Sequence, residues 1–304
     1  MRFGIVILPQ HDWPEAARYW RDADALGFDH AWTYDHLAWR GLAGERWHAT
    51  VPTLTAAATV TTRIGLGTFV ASPNYRHPVP FAKDIATVDQ IAGGRVRLGV
   101  GSGGTGFDAF VLGQAELTPR ERHERFAEFA QALDTLLRFE RPGDDGISFE
   151  GTWYTADGAR MVGEPAQLPR MPLHLAANGP RGLELTVRIA DGWITTGGDP
   201  SDPEAWWRGV GELSHRLDET CAAAGREPGS LARTLSLDSA GQYSLSSVDT
   251  FEEAVGRADA LGFTDVVAHW PRPDGIYAGR EAVLEEVASR FAGLRDGTAP
   301  PVSG

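Results

Sequence analysis

The chain of 304 residues is 42% hydrophobic and 23% charged, a globular composition that excludes a disordered or collagen-like protein. Its formal net charge of −13 argues against sequence-independent nucleic-acid binding, because such binding requires basic residues to neutralise phosphates. Cys221 is the only cysteine, which excludes an intramolecular disulfide and a cysteine-based metal cluster.

Targeting and anchoring signals are also sparse. No apolar stretch approaches the roughly 18–20 residues of a membrane-spanning helix, and the N-terminal apolar run is shorter than a signal-peptide core. The expectation is a cytoplasmic protein that binds neither membrane nor nucleic acid. Lys83 is the only lysine, so Schiff-base chemistry would depend on that residue alone.

Apolar, β-branched runs alternate with helical patterns along the chain. The predicted strands are Arg2–Leu8, Asp29–Tyr34, Ile64–Ala71, Val96–Gly101, Leu173–Ala177, Gly192–Thr196, Arg233–Leu237 and Asp265–His269. The predicted helices are Trp13–Leu26, Val51–Thr61, Pro78–Ile91, Pro119–Phe139, Arg181–Ala190, Asp202–Ala224, Val248–Leu261 and Arg280–Ala292. Eight strands, each followed by a helix, favour an α/β fold of the closed TIM-like (β/α)8 barrel type over an open doubly wound sheet.

Residues 1–304 are therefore predicted to form a single barrel domain. The long segments that interrupt the alternation are 35–50, 102–118 and, after the fourth helix, 140–171. The first two follow strands, at the face where the active sites of barrel enzymes lie. The third contains a hairpin-like pattern at 147–154 and is predicted to be an insertion that leans over the barrel mouth. The tail at 298–304 contains two prolines and is expected to fray.

Asp35 and His36 directly follow the second predicted strand. A histidine beside a carboxylate can act as a general acid or base near neutral pH, and the carboxyl end of a barrel strand suits that role. The alternative is a loop histidine packed on aromatic side chains. The other histidines have no metal-binding spacing, so no metal site is predicted.

Two segments rich in small residues are candidate binding loops. The run Gly99–Gly104 contains the letters GxGxxG but lacks the helix start and the acidic residue of a dinucleotide fold. Because its glycines have no side chains, the backbone could still approach a flat ring or a phosphate closely. The alternative is a plain flexible turn. The run Ala176–Gly182 opens a helix and includes Arg181, which predicts an anion site. The alternative there is an ordinary N-cap by Asn178 with Pro180 in the first turn.

Aromatic residues cluster near both candidate loops. Trp39 and Trp47 follow His36, and Phe107 and Phe110 follow the glycine run. Aromatic side chains at a barrel mouth predict an apolar pocket for a small-molecule substrate. Trp206 and Trp207 lie in a predicted helix, where packing or a subunit contact is expected.

Four segments together resemble one family: 27–37, 63–78, 86–104 and 190–197. They are similar to the bacterial luciferase-like superfamily of flavin and deazaflavin oxidoreductases, and the resemblance covers nearly the whole chain. It implies a TIM-like barrel with an insertion. The Asp35-His36 pair resembles the branch that depends on coenzyme F420, whereas FMN-dependent members more often have Glu-His or no such pair.

The resemblance implies that Asp35 contacts the deazaflavin, that His36 lies near its reactive carbon, and that Phe69–Val70 is a non-prolyl cis peptide behind the ring. The further cofactor contacts that it implies are Ser72, Ser102, Gly103, Asn178, Gly179, Arg181 and Gly182. Sugar-phosphate dehydrogenases of this branch have a glutamate proton acceptor and a phosphate-binding lysine where this chain has Gly104 and Asp199. Oxidation of a sugar phosphate is therefore not expected.

The expected function is an F420-dependent oxidoreductase that reduces a C=C or C=N bond of a small, largely apolar molecule, with His36 as proton donor. The alternatives are an FMN-dependent monooxygenase and a non-catalytic flavin-binding relative. Arg76 and Arg181 are the candidates for binding the anionic tail of F420. The chain is expected to form a homodimer.

Overall fold

The computed structural model describes residues 1–104, 106, 108–138, 145–163 and 165–296. Its strands are β1 (Arg2–Val6), β2 (His30–Thr33), β3 (Gly65–Thr68), β4 (Val96–Gly101), β5 (Ile147–Glu150), β6 (Thr155–Ala159), β7 (Leu173–Ala176), β8 (Gly192–Thr195), β9 (Ala232–Ser236) and β10 (Asp265–His269). Its α-helices are α1 (Trp13–Ala25), α2 (Thr50–Val60), α3 (Pro78–Ile91), α4 (Pro119–Leu137), α5 (Pro180–Ile189), α6 (Pro203–Ala223), α7 (Val248–Ala260), α8 (Glu281–Ser289) and α9 (Phe291–Arg295).

Eight parallel strands close a barrel in the order β1-β10-β9-β8-β7-β4-β3-β2. Strand β1 pairs in parallel with both β2 and β10, which joins the two ends of the chain within the sheet. Strands β5 and β6 form a separate antiparallel hairpin after α4. The TIM-like (β/α)8 barrel with an insertion after the fourth helix is therefore confirmed.

The element boundaries differ from the prediction at two informative places. Strand β3 ends at Thr68, and the next peptide bond, Phe69–Val70, is cis, as predicted. Parallel pairing resumes for one residue at Ala71, which bridges to Val100. The last predicted helix is two helices, and Phe291 at the start of α9 stacks on Phe3 with ring centroids 4.3 Å apart.

The β5-β6 hairpin lies against α3 and α4. The Glu128 carboxylate of α4 accepts hydrogen bonds from the backbone N–H groups of Trp153 (3.0 Å) and Tyr154 (2.6 Å). The only lysine, Lys83 of α3, donates to the carbonyl oxygen of Val162 at 2.6 Å. No described residue of the insertion lines the cavity at the barrel mouth, so the expectation that it leans over the mouth is wrong for this part. The predicted frayed tail lies outside the described residues.

Large aromatic residues fill the layer between the barrel and its helices. Trp20, Trp193 and Trp206 are fully buried there, and Trp207 is 9% exposed. The Trp206 indole donates to the carbonyl oxygen of Thr196, so the Trp206–Trp207 pair packs inside the fold. Among the helices that the structure describes, none has the length and apolarity needed to cross a bilayer.

A polar network fills the amino-terminal end of the barrel. The Trp32 indole donates to Nδ1 of His30 at 2.6 Å, so His30 must be neutral and carry its hydrogen on Nε2. That Nε2–H group donates to Asp265 Oδ1 at 2.9 Å, and Arg2 donates to both oxygens of the same carboxylate. Although burial opposes ionisation, the hydrogen bonds from His30 and Arg2 hold the pKa of Asp265 well below its ordinary range.

We expect Asp265→Asn to lower the free energy of unfolding by about 3 kcal/mol, because an amide would present N–H groups to the buried donor His30 and to the partly exposed donor Arg2. Urea unfolding followed by fluorescence measures the change. The matched control is Asp22→Asn, in an exposed pair with Arg18, which should cost about 0.5 kcal/mol or less. Equal effects of the two changes would contradict this account of the network.

Candidate active site

A cavity of about 560 Å³ opens at the carboxyl ends of the barrel strands and is called the mouth cavity below. One side of its lining comes from the segments after β3 and β4: Phe69, Val70, Gly101, Ser102, Gly103 and Gly104. The segments after β2, β9 and β10 line another part of the cavity and carry polar groups: Tyr34, His36, Asp238 and Tyr277. The mouth cavity therefore has a backbone wall and a polar wall.

The backbone wall depends on missing side chains. A Cβ atom on Gly99 would lie 2.2 Å from the carbonyl oxygen of Thr68, and one on Gly101 would lie 2.7 Å from Cγ2 of Val70. Gly103 has a left-handed backbone (φ +77°), and a Cβ there would lie 2.6 Å from Oδ1 of Asn74. Glycine at these positions lets β4 and its loop approach β3 closely, which leaves a flat surface of main chain.

His36 lies at the edge of the mouth cavity with one ring nitrogen already bound. Its Nδ1 is 2.9 Å from Oδ2 of Asp108, and the backbone N–H of Leu37 donates to the same oxygen at 2.9 Å. The His36 side chain is 24% exposed, whereas Asp108 is 4% exposed. The carboxylate fixes Nδ1 as the hydrogen-carrying nitrogen, so Nε2 is the atom that can exchange a proton with a ligand.

Asp35 has a different environment from its neighbour. Both of its carboxylate oxygens accept hydrogen bonds from Arg76, at 2.6 and 2.5 Å, and its side chain is 1% exposed. The Arg76 guanidinium also lies 4.3 Å above the ring of Phe81. Neither Asp35 nor Arg76 lines the mouth cavity. Arg76, a candidate for binding an anionic tail, is instead held in a half-buried ion pair with Asp35.

A second cavity of about 540 Å³ adjoins the first and is called the basic cavity below. The two cavities share Ser102 and Ala176 in their linings. The cationic or titratable residues that line the basic cavity are Arg120, Arg122, His123 and Arg181. Burial and the charge of Arg181 lower the pKa of His123, which is the effect expected where positive charges converge.

The start of α5 forms one side of the basic cavity. The alternative of an N-cap by Asn178 is wrong, because the N-cap residue is Gly179 and no side chain caps the helix. Asn178 instead donates to the carbonyl oxygen of Gly197 at 2.8 Å and accepts from Thr195 at 2.7 Å. The first N–H groups of α5 thus have no capping side chain, a favourable setting for an anion.

The structure divides the residues named by the resemblance between the two cavities. Phe69, Val70, Ser102 and Gly103 line the mouth cavity, and Ser102, Asn178, Gly179, Arg181 and Gly182 line the basic cavity. Ser72 is 3% exposed and lines neither cavity.

The predicted aromatic pocket is only partly present. Trp39 lines the mouth cavity, but Trp47 stacks behind it with ring centroids 6.3 Å apart and does not line the cavity. Phe110 is partly exposed outside the cavity, and Phe107 lies outside the described residues. Phe110 therefore does not contribute to the pocket as its sequence position suggests.

Sequence reasoning missed three polar residues of the site. Asp108 follows the glycine loop, Asp238 follows β9 and His269 ends β10. All three lie beyond or at the carboxyl end of a barrel strand, and this was the signal available to find them. Across the described ranges, no group of three or more His, Cys, Asp or Glu side chains is placed to hold a metal ion.

The model of the luciferase-like monooxygenase family matches residues 1–261. This chain belongs to that family. It is 39% identical over 178 residues to an F420-dependent glucose-6-phosphate dehydrogenase of Beutenbergia cavernae, a match to 58% of this chain and 50% of the relative. It is 31% identical over 280 residues to an F420-dependent hydroxymycolic acid dehydrogenase of Mycobacterium tuberculosis, covering 89% of this chain and 69% of the relative.

The fold also matches a solved F420-dependent secondary alcohol dehydrogenase in complex with an F420-acetone adduct. The TM-score is 0.78 at 17% identity, and the match covers 97% of this chain and 99% of the other. The chain spans about half the length of the Beutenbergia cavernae relative. Membership of the luciferase-like family, inferred from residue motifs, is confirmed.

Proposed function

We propose that this luciferase-like chain is an F420-dependent oxidoreductase that reduces a C=C or C=N bond of a small, largely apolar molecule by hydride transfer. The observation that carries the proposal is the His36–Asp108 pair at the edge of a cavity that has a backbone wall and joins a basic cavity. The F420-dependent relatives support the choice of cofactor.

The residues present fit F420. This cofactor has a flat deazaflavin ring and an anionic tail with a phosphodiester and glutamate carboxylates. At Gly101 and Gly103 a Cβ atom would collide with Val70 or Asn74, so the backbone wall presents main chain at these positions and can accept a flat ring. Arg181 and the uncapped start of α5 suit the phosphodiester. Because the two cavities share Ser102, one elongated molecule can occupy both.

When bound and reduced, F420 supplies the hydride. His36 supplies the proton from Nε2, because Asp108 holds Nδ1 and the ring orientation. The backbone N–H of Leu37 fixes Asp108 in turn, so the acid keeps its position through turnover. A positioned general acid of this kind typically accelerates a reaction by about 10²–10⁴-fold.

The residues around His36 favour reduction over oxidation of a sugar phosphate. Gly104 lines the mouth cavity where related dehydrogenases are expected to have a glutamate base, and nothing lies within 4 Å of its ideal Cβ position. Asp199 is exposed and accepts from the backbone of Ser201. Hydride and one proton complete a reduction, and His36 can supply that proton without a second side-chain base.

We expect His36→Ala to lose at least about tenfold in turnover while F420 affinity stays unchanged, because the proton donor is lost and the cofactor walls are intact. Oxidation of reduced F420 by a panel of enones and cyclic imines measures turnover, and fluorescence titration measures affinity. His48→Ala, an exposed histidine of the same loop, is the control. Turnover by the His36 variant at the wild-type rate would refute His36 as the acid.

We expect F420 to bind more tightly than FMN, because the basic cavity offers several cationic groups to a long anionic tail. Competitive fluorescence titration of the purified protein compares the two cofactors directly. FMN binding in the micromolar range without F420 binding would replace this proposal by the FMN-dependent alternative.

Charge reversal in the basic cavity tests the position of the tail. Arg181→Glu should weaken F420 by about tenfold or more and should affect a tail-less deazaflavin much less, since only the tail meets Arg181. Arg188→Glu makes the same change at an exposed site near the other end of α5 and should leave both affinities unchanged. Equal losses for the two cofactor forms would place the tail elsewhere.

A further inference from the structure

A chain of hydrogen-bonding side chains forms the polar wall of the mouth cavity. Tyr34 Oη lies 2.7 Å from Nε2 of His269, and His269 Nδ1 lies 2.8 Å from Oδ2 of Asp238. The hydroxyl groups of Tyr34 and Tyr277 are 3.3 Å apart. Tyr34, Asp238 and Tyr277 line the mouth cavity, and the Tyr34 ring centroid lies 6.2 Å from that of His36.

The hydrogen count along this chain leaves one hydroxyl free. Asp238 accepts from the backbone N–H groups of Ser244 and His269, both at 2.7 Å, so its carboxylate remains an acceptor and His269 carries hydrogen on Nδ1. His269 Nε2 then accepts the hydrogen of Tyr34. Among the described residues, the Tyr277 hydroxyl has only the Tyr34 oxygen as a partner, at a distance long for an O–H···O bond, so it is available to a ligand.

The backbone of Tyr277 is unusual as well. Tyr277 (φ +61°) and Arg40 (φ +43°) are the non-glycine residues with a left-handed backbone in the described ranges, and both line the mouth cavity. Bulky residues rarely adopt this conformation, and such outliers concentrate at functional sites. The Tyr277 ring stacks on His269 with centroids 3.8 Å apart, and its carbonyl accepts from Arg272, so the ring is firmly placed.

We propose that the Tyr277 hydroxyl, placed by the stack of its ring on His269, donates a hydrogen bond to a substrate oxygen conjugated with the reduced double bond, so that the substrate is an α,β-unsaturated carbonyl compound. The inference rests on the proposed function and names its substrate class. His269, which is oriented by Asp238 and Tyr34, is a positioning residue that acts through this ring stack. Burial raises the pKa of Tyr34 well above its ordinary value and that of Tyr277 to about 12, so both hydroxyls keep their hydrogens at neutral pH.

The chemistry needs such a donor. Hydride forms a bond to the β-carbon, the C=C π pair moves toward the carbonyl, and the oxygen gains negative charge. The reduced cofactor is oxidised by loss of that hydride. Tyr277 stabilises the charged oxygen, as preorganised donors do in other active sites. His36 then protonates the α-carbon, the carbonyl reforms, and solvent returns a proton to His36.

Ligand binding tests the donor without turnover. Calorimetry on the F420-loaded protein compares 4-nitrophenolate, which carries an oxyanion on a flat ring, with nitrobenzene, which has no phenolate oxygen. Tyr277→Phe should weaken 4-nitrophenolate by about ten- to a hundredfold and leave nitrobenzene unchanged. Tyr243→Phe removes a nearby hydroxyl that donates only to the His269 carbonyl, and it is the matched control.

Turnover then separates the inference from the proposed function. Wild-type protein with reduced F420 should reduce 2-cyclohexen-1-one, and Tyr277→Phe should lower kcat by about 10²-fold at unchanged F420 affinity. Reduction of 1-pyrroline but not of the enone would overturn the inference and leave the proposed function standing. Oxidation of cyclohexanol without reduction of either compound would overturn the proposed function. Equal binding losses in the Tyr277 and Tyr243 variants would overturn the inference whatever the turnover.

Discussion

Strand β4 has no side chains at Gly99 and Gly101, and the mouth cavity depends on that absence. A single Cβ atom at either position would collide with β3 or with Val70 at 2.7 Å or less. Glycine inside a strand ordinarily weakens the strand, because it adds backbone entropy and packs nothing. Here the same property lets β3, β4 and the loop after β4 form a surface of main chain. The polar wall then supplies the chemical groups of the mouth cavity.

Barrel closure brings His36 and its carboxylate partner together from distant parts of the sequence. His36 follows β2 and Asp108 lies in the loop after β4, 72 positions further along the chain. Strand β3 lies between these two strands in the sheet, so both loops emerge at the same rim. The pair therefore joins two loops that follow barrel strands. This arrangement gives precise placement to a histidine that is itself partly exposed.

Much of the fold could be predicted from the sequence, because the alternation of apolar β-branched runs with helical patterns is a local signal that each βα unit repeats. The cis bond at Phe69–Val70 was implied by family resemblance and is present in the structure. Side-chain partners were harder to predict. The Asp35–Arg76 pair and the His36–Asp108 pair join loops far apart in sequence, and no local pattern encodes which carboxylate meets which cation. Phe110 was predicted to line the pocket because it follows the glycine loop in sequence. It lies outside the mouth cavity, because proximity in sequence does not fix where a loop side chain points.

The strand order divides the barrel into two halves that come from different stretches of the chain. Strands β3, β4, β7 and β8 are neighbours in space and occupy one uninterrupted stretch of chain, 65–195, which carries both glycine-rich loops. The polar wall comes from β2, β9 and β10, at the two ends of the chain. Recombination within a gene can therefore exchange the half that carries both glycine-rich loops as one block. The other half joins the two ends of the chain through the β1–β10 pairing and the Tyr34–His269 hydrogen bond, and its polar wall can diversify by point changes without disturbing that block.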